Sequence, residues 1–221
     1  MPWPIVLASR SPRRIELLRL IVPPERILVQ PPPSSEEAGF DGLQSLPEIV
    51  ARLLEISRHK HDQTVQALQL QNQPSAAIIA ADTIVLATDD QKRHVVLGQP
   101  PAGPGQDALV RRWFREYYAG REHQVLTGVY VSARGDRDPA TRSFVVTTVV
   151  RFHPDVDRWL DWYLSTGEST GKAGGYALQG AGSLFVDQVT GSLSNVIGLP
   201  IREVQAALWE LGIDVDSGVG T

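Results

Sequence analysis

Cysteine is absent from the 221-residue chain, which excludes disulfides, zinc–thiolate sites and cysteine nucleophiles. No apolar run is long enough to cross a bilayer, and the first residues do not have the pattern of a secretory signal. We therefore expect a cytoplasmic protein without a membrane partner. Basic residues are not in excess, because the formal net charge is −4, and this argues against nucleic acid as a partner.

Lysine is also scarce. It occurs only as Lys60, Lys92 and Lys172, and the other 18 of the 21 basic residues are arginine. The few histidines do not favour a shared metal site, because the one close pair, His59 and His61, would lie on different faces of a helix. Hydrophobic residues make up 42% of the chain, which is ordinary for a globular protein with a sizeable core.

Apolar patterning predicts an α/β protein whose helices are spread among the strands. A near-continuous apolar run, "SAAIIAADTIVLA", is typical of a central strand buried on both faces. Two strands with a short link indicate an antiparallel pair, so we expect a mixed sheet. The predicted strands are 5–8, 26–30, 75–87, 95–97, 123–133, 141–152 and 183–189, and the predicted helices are 12–21, 46–70, 106–118, 155–166 and one that begins near Pro200.

The first candidate site is the stretch "LASRSPRRIELL". Ser11 has the character of an N-cap and Pro12 suits the first helical position, so Arg13 and Arg14 lie in the first turn of a helix. Cations are mildly disfavoured there unless an anion is bound as well. Free backbone N–H groups, serine hydroxyls and two guanidinium groups would form a phosphate cradle. The alternative is an ordinary strand–helix turn with two solvated arginines.

Two further candidates are acidic. Asp82 falls at the end of the buried apolar run, where a carboxylate could hold a divalent cation or act as a general base, or simply cap the next turn. Glu36 and Glu37 follow three prolines in a loop. They could ligate magnesium beside a phosphate cradle, or they could be solvated charges.

The last candidate is the glycine-rich stretch "TGESTGKAGGYALQG". It does not match a P-loop, because only three residues separate Gly167 from Gly171 and no Ser or Thr follows the lysine. It is then a glycine loop in which Lys172 could offer a charge to a phosphate, and Gln179 could offer a donor and an acceptor to a base edge. The alternative is a surface loop with turn glycines.

Five segments in this order, "LASRSPRRIELL", "AADTIV", "LTGVYV", "GKAGGYALQG" and "NVIGLP", resemble the signature segments of the Maf family of nucleoside triphosphate pyrophosphatases. The resemblance implies an inosine-triphosphatase-like fold, with an elongated mixed sheet, flanking helices and two lobes around a nucleotide cleft. It covers about Ile5 to Leu211. We expect a single domain over 1–213 and a disordered tail over 214–221.

The resemblance also implies roles for individual residues. Ser9, Arg13 and Arg14 would hold phosphates, Asp82 would activate a water, and Glu36 or Glu37 would assist a divalent cation, Mg²⁺ or Mn²⁺. Arg13, Thr83 and Gln179 would set base selectivity, and the last two resemble the branch that acts on dTTP and UTP. The implied role is a house-cleaning one, in which a nucleoside triphosphate is hydrolysed to the monophosphate and pyrophosphate. A homodimer is compatible with it.

Two positions depart from the family pattern. Gln99 stands where the family usually has a lysine, and a second family lysine, on the long helix, aligns approximately with Ser57. Two cations near the triphosphate are thus expected to be missing, with Arg58 or Arg93 as candidate replacements. These departures support an alternative function, a nucleotide-binding protein with weak or no catalysis that acts in cell-division regulation.

Overall fold

The computed structural model describes residues 3–34, 38–70, 76–134 and 140–215. The strands in chain order are β1 Ile5–Ala8, β2 Ile27–Val29, β3 Ala76–Thr88, β4 His94–Leu97, β5 Glu122–Arg134, β6 Ala140–Phe152 and β7 Val186–Thr190. The helices are α1 Pro12–Leu18, α2 Leu46–Leu70, α3 Gln106–Trp113, α4 Asp157–Ser165, α5 Leu193–Ile197 and α6 Ile201–Glu210. The predicted α/β class is confirmed, and so are the bounds of the long helix α2.

The seven strands form one mixed sheet, as predicted. The order is β2-β1-β3-β5-β6-β7, with β4 paired to β3 off this path. β1 runs parallel to β2 and β3, whereas all other pairs are antiparallel. The short link predicted between β5 and β6, residues 135–139, lies outside the described residues.

One edge of β3 is shared by two short strands. β1 pairs with its first half, up to Ala80, and β4 pairs with its second half, from Val85 onward. Both β1 and β4 run with their carboxyl ends toward the residues between these halves. Asp82 and Thr83 therefore lie in an interval of the edge that no described strand covers, at the kind of switch point where α/β sheets bind ligands.

Separate apolar cores flank this interval. β1, the first half of β3, α1 and α6 share one core, which includes Leu18, Ile79 and Leu208. The second half of β3 packs with α3, α4 and the ends of β5 and β6 in another. α2 lies across the opposite face of the sheet, where Leu53 contacts the second half of β3 and Leu68 the first. The chain thus has two lobes that share β3, β5 and α2.

Several predicted bounds differ from the observed ones, and α1 ends at Leu18, three residues before the predicted end. α3 ends at Trp113, and the predicted helix continues to Tyr118 as a π-helical turn. The predicted strand 183–189 begins only at Val186, because residues 181–185 form a 3₁₀ turn. Packing also extends beyond residue 213, since Val215 is 2% exposed in the first core. The rest of the predicted tail, 216–221, lies outside the described residues. No described helix combines the length and apolarity needed to cross a membrane.

The second core is aromatic and encloses a histidine. His123 is 2% exposed, and its ring lies 4.3 Å from that of Tyr118 and 5.0 Å from that of Phe152. Its Nε2 lies 2.8 Å from the Tyr176 hydroxyl, whereas Nδ1 has no partner among the described residues. Burial lowers the pKa of His123 to about 3, so the ring is neutral in the folded protein at physiological pH.

Acidification should therefore destabilise the fold through His123. Below its ordinary pKa near 6.5 the unfolded chain binds a proton that the folded chain excludes, so stability is lost as the pH falls. Between about pH 7.5 and about pH 5.5 this single group should remove about 1.4 kcal/mol from the free energy of unfolding. Urea denaturation at both values would measure it. In His123→Phe the free energy of unfolding should fall less between these two pH values than in the wild-type protein, by that amount. An equal fall in both proteins would contradict the assignment.

Candidate active site

A cleft of about 780 Å³ opens where β1 and β4 end. It is lined by the start of α1, by the uncovered interval of β3, by the end of β4 and by the glycine-rich loop between α4 and β7. The polar side chains among the lining residues are Ser9, Arg10, Ser11, Arg13, Arg14, Ser34, Lys60, Asp82, Thr83, Gln99, Lys172, Tyr176 and Gln179.

Arg14 forms hydrogen bonds with groups from three segments that line this cleft. Its Nε donates to the carbonyl of Gly198 at 2.8 Å, Nη2 to Thr83 Oγ1 at 3.0 Å and Nη1 to Ser9 Oγ at 3.4 Å. Gly198 caps the C-terminus of α5 and lines the cleft. Its φ of +129° is a backbone conformation that favours glycine. Arg14 thus orients groups that line the cleft.

The start of α1 is built differently from the predicted cap. Ser11 is the N-cap residue and Pro12 the first helical residue, as predicted, but the Ser11 side chain makes no capping hydrogen bond. The buried Ser9 hydroxyl instead accepts from the Ser11 N–H at 3.1 Å. Arg13 is half-buried at the cleft surface, in the first turn where an anion would be favoured.

Asp82 forms an ion pair with a lysine. Lys60 Nζ of α2 lies 2.6 Å from Asp82 Oδ1, and the two side chains are only 13% and 14% exposed. Asp82 stands in the interior of β3 and not at its end, so the predicted strand-end position is wrong. It is nevertheless beyond the carboxyl end of β1, because β1 stops at Ala8 opposite Ala80. The carboxylate thus reaches the cleft from mid-strand.

The expected loss of a cation from α2 does not occur. Ser57, the position aligned with a family lysine, is fully buried, and its hydroxyl lies 2.9 Å from the carbonyl of Gly128 and 3.0 Å from that of Leu53. Lys60, one turn further along, carries the charge into the cleft. The sequence contains one indication of this role, because Lys60 is one of only three lysines in the chain.

The second expected loss of a cation, at Gln99, does occur. Gln99 lines the cleft just after β4 and is exposed. Neither candidate replacement reaches the cleft, because Arg58 pairs with Asp62 and Arg93 with Asp89 at exposed positions. That replacement is therefore wrong. The sequence analysis missed Arg10, which lines the cleft and donates to the Pro32 carbonyl at 3.2 Å.

Tyrosine hydroxyls hold the glycine-rich loop that carries Lys172 and Gln179. Tyr118 donates to the carbonyl of Gly174 at 2.9 Å, and Tyr163 donates to that of Gly175 at the same distance. A Cβ on Gly174 would lie 2.5 Å from the Tyr118 oxygen, so only glycine fits. Buried phenols thus anchor a loop whose outer residues face the cleft.

The cleft is electrostatically suited to a polyanion. Its described lining contains the cations Arg10, Arg13, Arg14, Lys60 and Lys172, and Asp82 is the one acidic side chain among them. Burial lowers the pKa of Arg13, and burial together with the charge of Arg13 lowers that of Lys172, whereas Glu168 acts in the opposite direction on both. A bound anion would relieve the repulsion between these cations.

A divalent cation fits this donor set only if the substrate supplies ligands as well. Within the described residues no group of three or more His, Cys, Asp or Glu side chains could hold a metal ion. Glu36 and Glu37, the predicted metal ligands, lie outside the described residues. Mg²⁺ is commonly held by one or two carboxylates together with substrate phosphates, and Asp82 is the one carboxylate among the described lining residues.

The comparison with protein families agrees with this geometry. The family model described as Maf-like protein matches residues 4–211. The chain belongs to the Maf family. Proteins named dTTP/UTP pyrophosphatase are similar to it over nearly their whole length. The one from Exiguobacterium sibiricum is 37% identical over 96% of this chain and 94% of its own, and the one from Symbiobacterium thermophilum is 34% identical over 97% of both.

Most of the predicted site residues meet in this one cleft of the Maf-family fold. They come from three separate parts of the chain: the start of α1, the strand β3 and the glycine-rich loop. They are Ser9, Arg13, Arg14, Asp82, Thr83, Lys172 and Gln179. The pleat of β3 directs neighbouring residues to opposite faces, so Asp82 meets α2 whereas Thr83 meets Arg14.

Gly128 should be intolerant of a side chain, because α2 approaches β5 there. A Cβ would lie 2.9 Å from Leu53 Cγ and 3.0 Å from its carbonyl oxygen. Gly128→Ala should reduce the free energy of unfolding by about 1–3 kcal/mol, as overpacking does in cores, measured by urea denaturation. Gly98→Ala is the matched control, since its Cβ would meet nothing within 4 Å. Equal effects of the two substitutions would contradict the close approach.

Proposed function

We propose that this chain hydrolyses dTTP and UTP to the monophosphate and pyrophosphate. The observation that carries the proposal is the Asp82–Lys60 pair, 2.6 Å apart, in a cleft otherwise lined by cations. A carboxylate that lines a polyanion site can take a proton from a water held beside the phosphates. Similar Maf proteins are named dTTP/UTP pyrophosphatase, which supports the same proposal.

In the proposed reaction Asp82 takes a proton from a water that attacks the α-phosphorus. A bond forms from the water oxygen to phosphorus, and the bond to the bridging oxygen of the β-phosphate breaks, which releases pyrophosphate. Lys60 holds Oδ1, so Oδ2 is the oxygen assigned to the water. Arg13 and Lys172 would stabilise the charge that develops on the leaving pyrophosphate, which is the main catalytic contribution expected of fixed cations.

Arg14 has a supporting role in this proposal. Since it donates to Ser9, Thr83 and the Gly198 carbonyl, it would hold the phosphate-binding and base-reading groups in register. Arg13, Thr83 and Gln179 remain the residues proposed to set base selectivity. They reach the cleft from three different elements.

A divalent cation, Mg²⁺ or Mn²⁺, is proposed to accompany the triphosphate. Asp82 is the one acidic side chain of the described lining, and its two oxygens are assigned to Lys60 and to the water, so the phosphates would supply most of the ligands. Glu36 or Glu37 as a further ligand stays a prediction. The cation would neutralise charge on the phosphates. The cytoplasm as location and a homodimer likewise remain predictions from the sequence.

Asp82→Asn should abolish most turnover, because the amide cannot accept the proton. We expect kcat for dTTP and UTP to fall by about 10²–10⁴-fold, the usual contribution of a general base, in an assay of pyrophosphate release. Asp90→Asn is the matched control, since Asp90 is an exposed carboxylate paired with Arg121. Full turnover by Asp82→Asn would refute the mechanism. Tight dTTP binding without turnover in the wild-type protein would instead favour the binding-only alternative, which Gln99 suggests.

Alkaline pH should weaken catalysis through Lys172. Since burial and Arg13 lower its pKa, Lys172 loses its proton at a lower pH than an ordinary lysine. The value of kcat/KM for dTTP should fall as this proton is lost, because kcat/KM reports groups of the free enzyme. Lys172→Arg keeps its charge throughout the range and should shift the fall to higher pH. An unchanged profile would show that another group titrates.

A further inference from the structure

Glu168 occupies a special place beside the cleft, although it does not line it. It follows α4, and its carboxylate binds the turn that comes directly after Gln179. Oε2 accepts from the N–H of Ala181 at 2.7 Å, and Oε1 accepts from that of Gly182 at 2.9 Å. One side chain thus satisfies two consecutive backbone donors, and charged acceptors form the stronger class of hydrogen bond.

The turn is shaped to receive this carboxylate. A Cβ on Gly180 would lie 2.1 Å from Glu168 Oε2, and a Cβ on Gly182 would lie 2.7 Å from the Ala177 carbonyl. Residues 177–183 are further closed by the Ser183 N–H, which donates to the Gly180 carbonyl at 3.0 Å. Gln179 is exposed in this compact turn, and it is one of the residues that line the cleft.

The backbone of Glu168 is held by hydrogen bonds as well. The Glu168 N–H donates to Thr166 Oγ1 at 3.2 Å, and Thr166 Oγ1 in turn donates to the Tyr163 carbonyl at 2.6 Å. Tyr163 is fully buried in the aromatic core. Through Glu168, the turn that carries Gln179 is therefore attached to the end of α4 and to the core of the second lobe.

We propose that Glu168 is a positioning residue for base selectivity, which clamps the Gly180–Gly182 turn and so fixes Gln179 against the base. The inference rests on the proposed function and adds a residue that the sequence analysis assigned no role. Thymine and uracil offer a donor and two acceptors on their pairing edge, whereas cytosine offers the complementary pattern at two of these positions. A side chain that reads this edge must be held in place to distinguish them.

Glu168 also carries a charge that acts on Arg13 and Lys172, so its two effects must be separated. Two matched variants do so. Glu16→Gln removes a different carboxylate that acts on Arg13 and leaves the clamp intact. Gly180→Ala keeps the charge of Glu168 but displaces its carboxylate from the turn.

The measurement is the ratio of kcat/KM for dTTP to that for CTP, in the wild-type protein and in Glu168→Gln, Gly180→Ala and Glu16→Gln. This ratio does not depend on the folded fraction of a preparation, so simple loss of stability would not change it. We expect it to fall about three- to tenfold in the first two variants, as for a misplaced hydrogen bond, and to stay unchanged in Glu16→Gln. Glu168→Asp should restore part of it.

The α,β-imido analogues of dTTP and CTP cannot be hydrolysed. The ratio of their dissociation constants therefore measures the same selectivity without turnover. An unchanged ratio in both Glu168→Gln and Gly180→Ala would overturn the proposal even if both variants were less active. A fall in Glu16→Gln as large as in Glu168→Gln would overturn it in favour of a charge effect. If the wild-type protein bound neither analogue, the proposed function itself would fail, and the inference with it.

Discussion

The structure depends on one long strand whose edge is divided between two short ones. β3 is 13 residues long, and β1 and β4 cover opposite ends of the same edge while β5 pairs along the other. Because β1 and β4 both direct their carboxyl ends to the uncovered interval, the loops that follow them converge there. The cleft and the separation into two lobes both follow from this arrangement. A strand covered along its whole edge would leave no space for a ligand beside Asp82.

The pleat of β3 then sorts the polar groups. Asp82 faces α2 and pairs with Lys60, whereas Thr83 faces the start of α1 and binds Arg14. In the strand register Asp82 lies opposite Gly128, and Thr83 lies opposite Thr127. The missing side chain at Gly128 lets α2 approach β5 closely, with Ser57 bonded to the Gly128 carbonyl. This contact sets the height of α2 above the sheet and so brings Lys60 within reach of Asp82.

The far wall of the cleft is a loop, and it is held by polar side chains from a hydrophobic core. Tyr118 and Tyr163 lie in the aromatic core of the second lobe and use their hydroxyls to bind loop carbonyls. Aromatic residues with one polar atom suit this task, since the ring is buried while the hydroxyl satisfies a backbone group. Glu168 completes the wall by binding the last turn of the loop.

The sequence by itself determined the elements and the identity of most cleft residues. Apolar spacing, a serine–proline helix start and the near-continuous apolar run of β3 are local signals, and helix α2 and strand β1 lie where they were predicted. The ordered family segments also pointed to Ser9, Arg13, Asp82 and Gln179, all of which line the cleft.

Only the tertiary structure decided which of these residues meet. Lys60 and Ser57 lie one turn apart on α2, and the rotation of the helix against Gly128 decides that the first reaches Asp82 and the second is buried. Likewise, the Asp82 carboxylate reaches the cleft from the middle of β3 because β1 and β4 share one edge of that strand. Glu168 binds a turn that lies 13 residues further along the chain. Local periodicity is set by neighbouring residues, whereas such contacts arise from packing between segments distant in sequence.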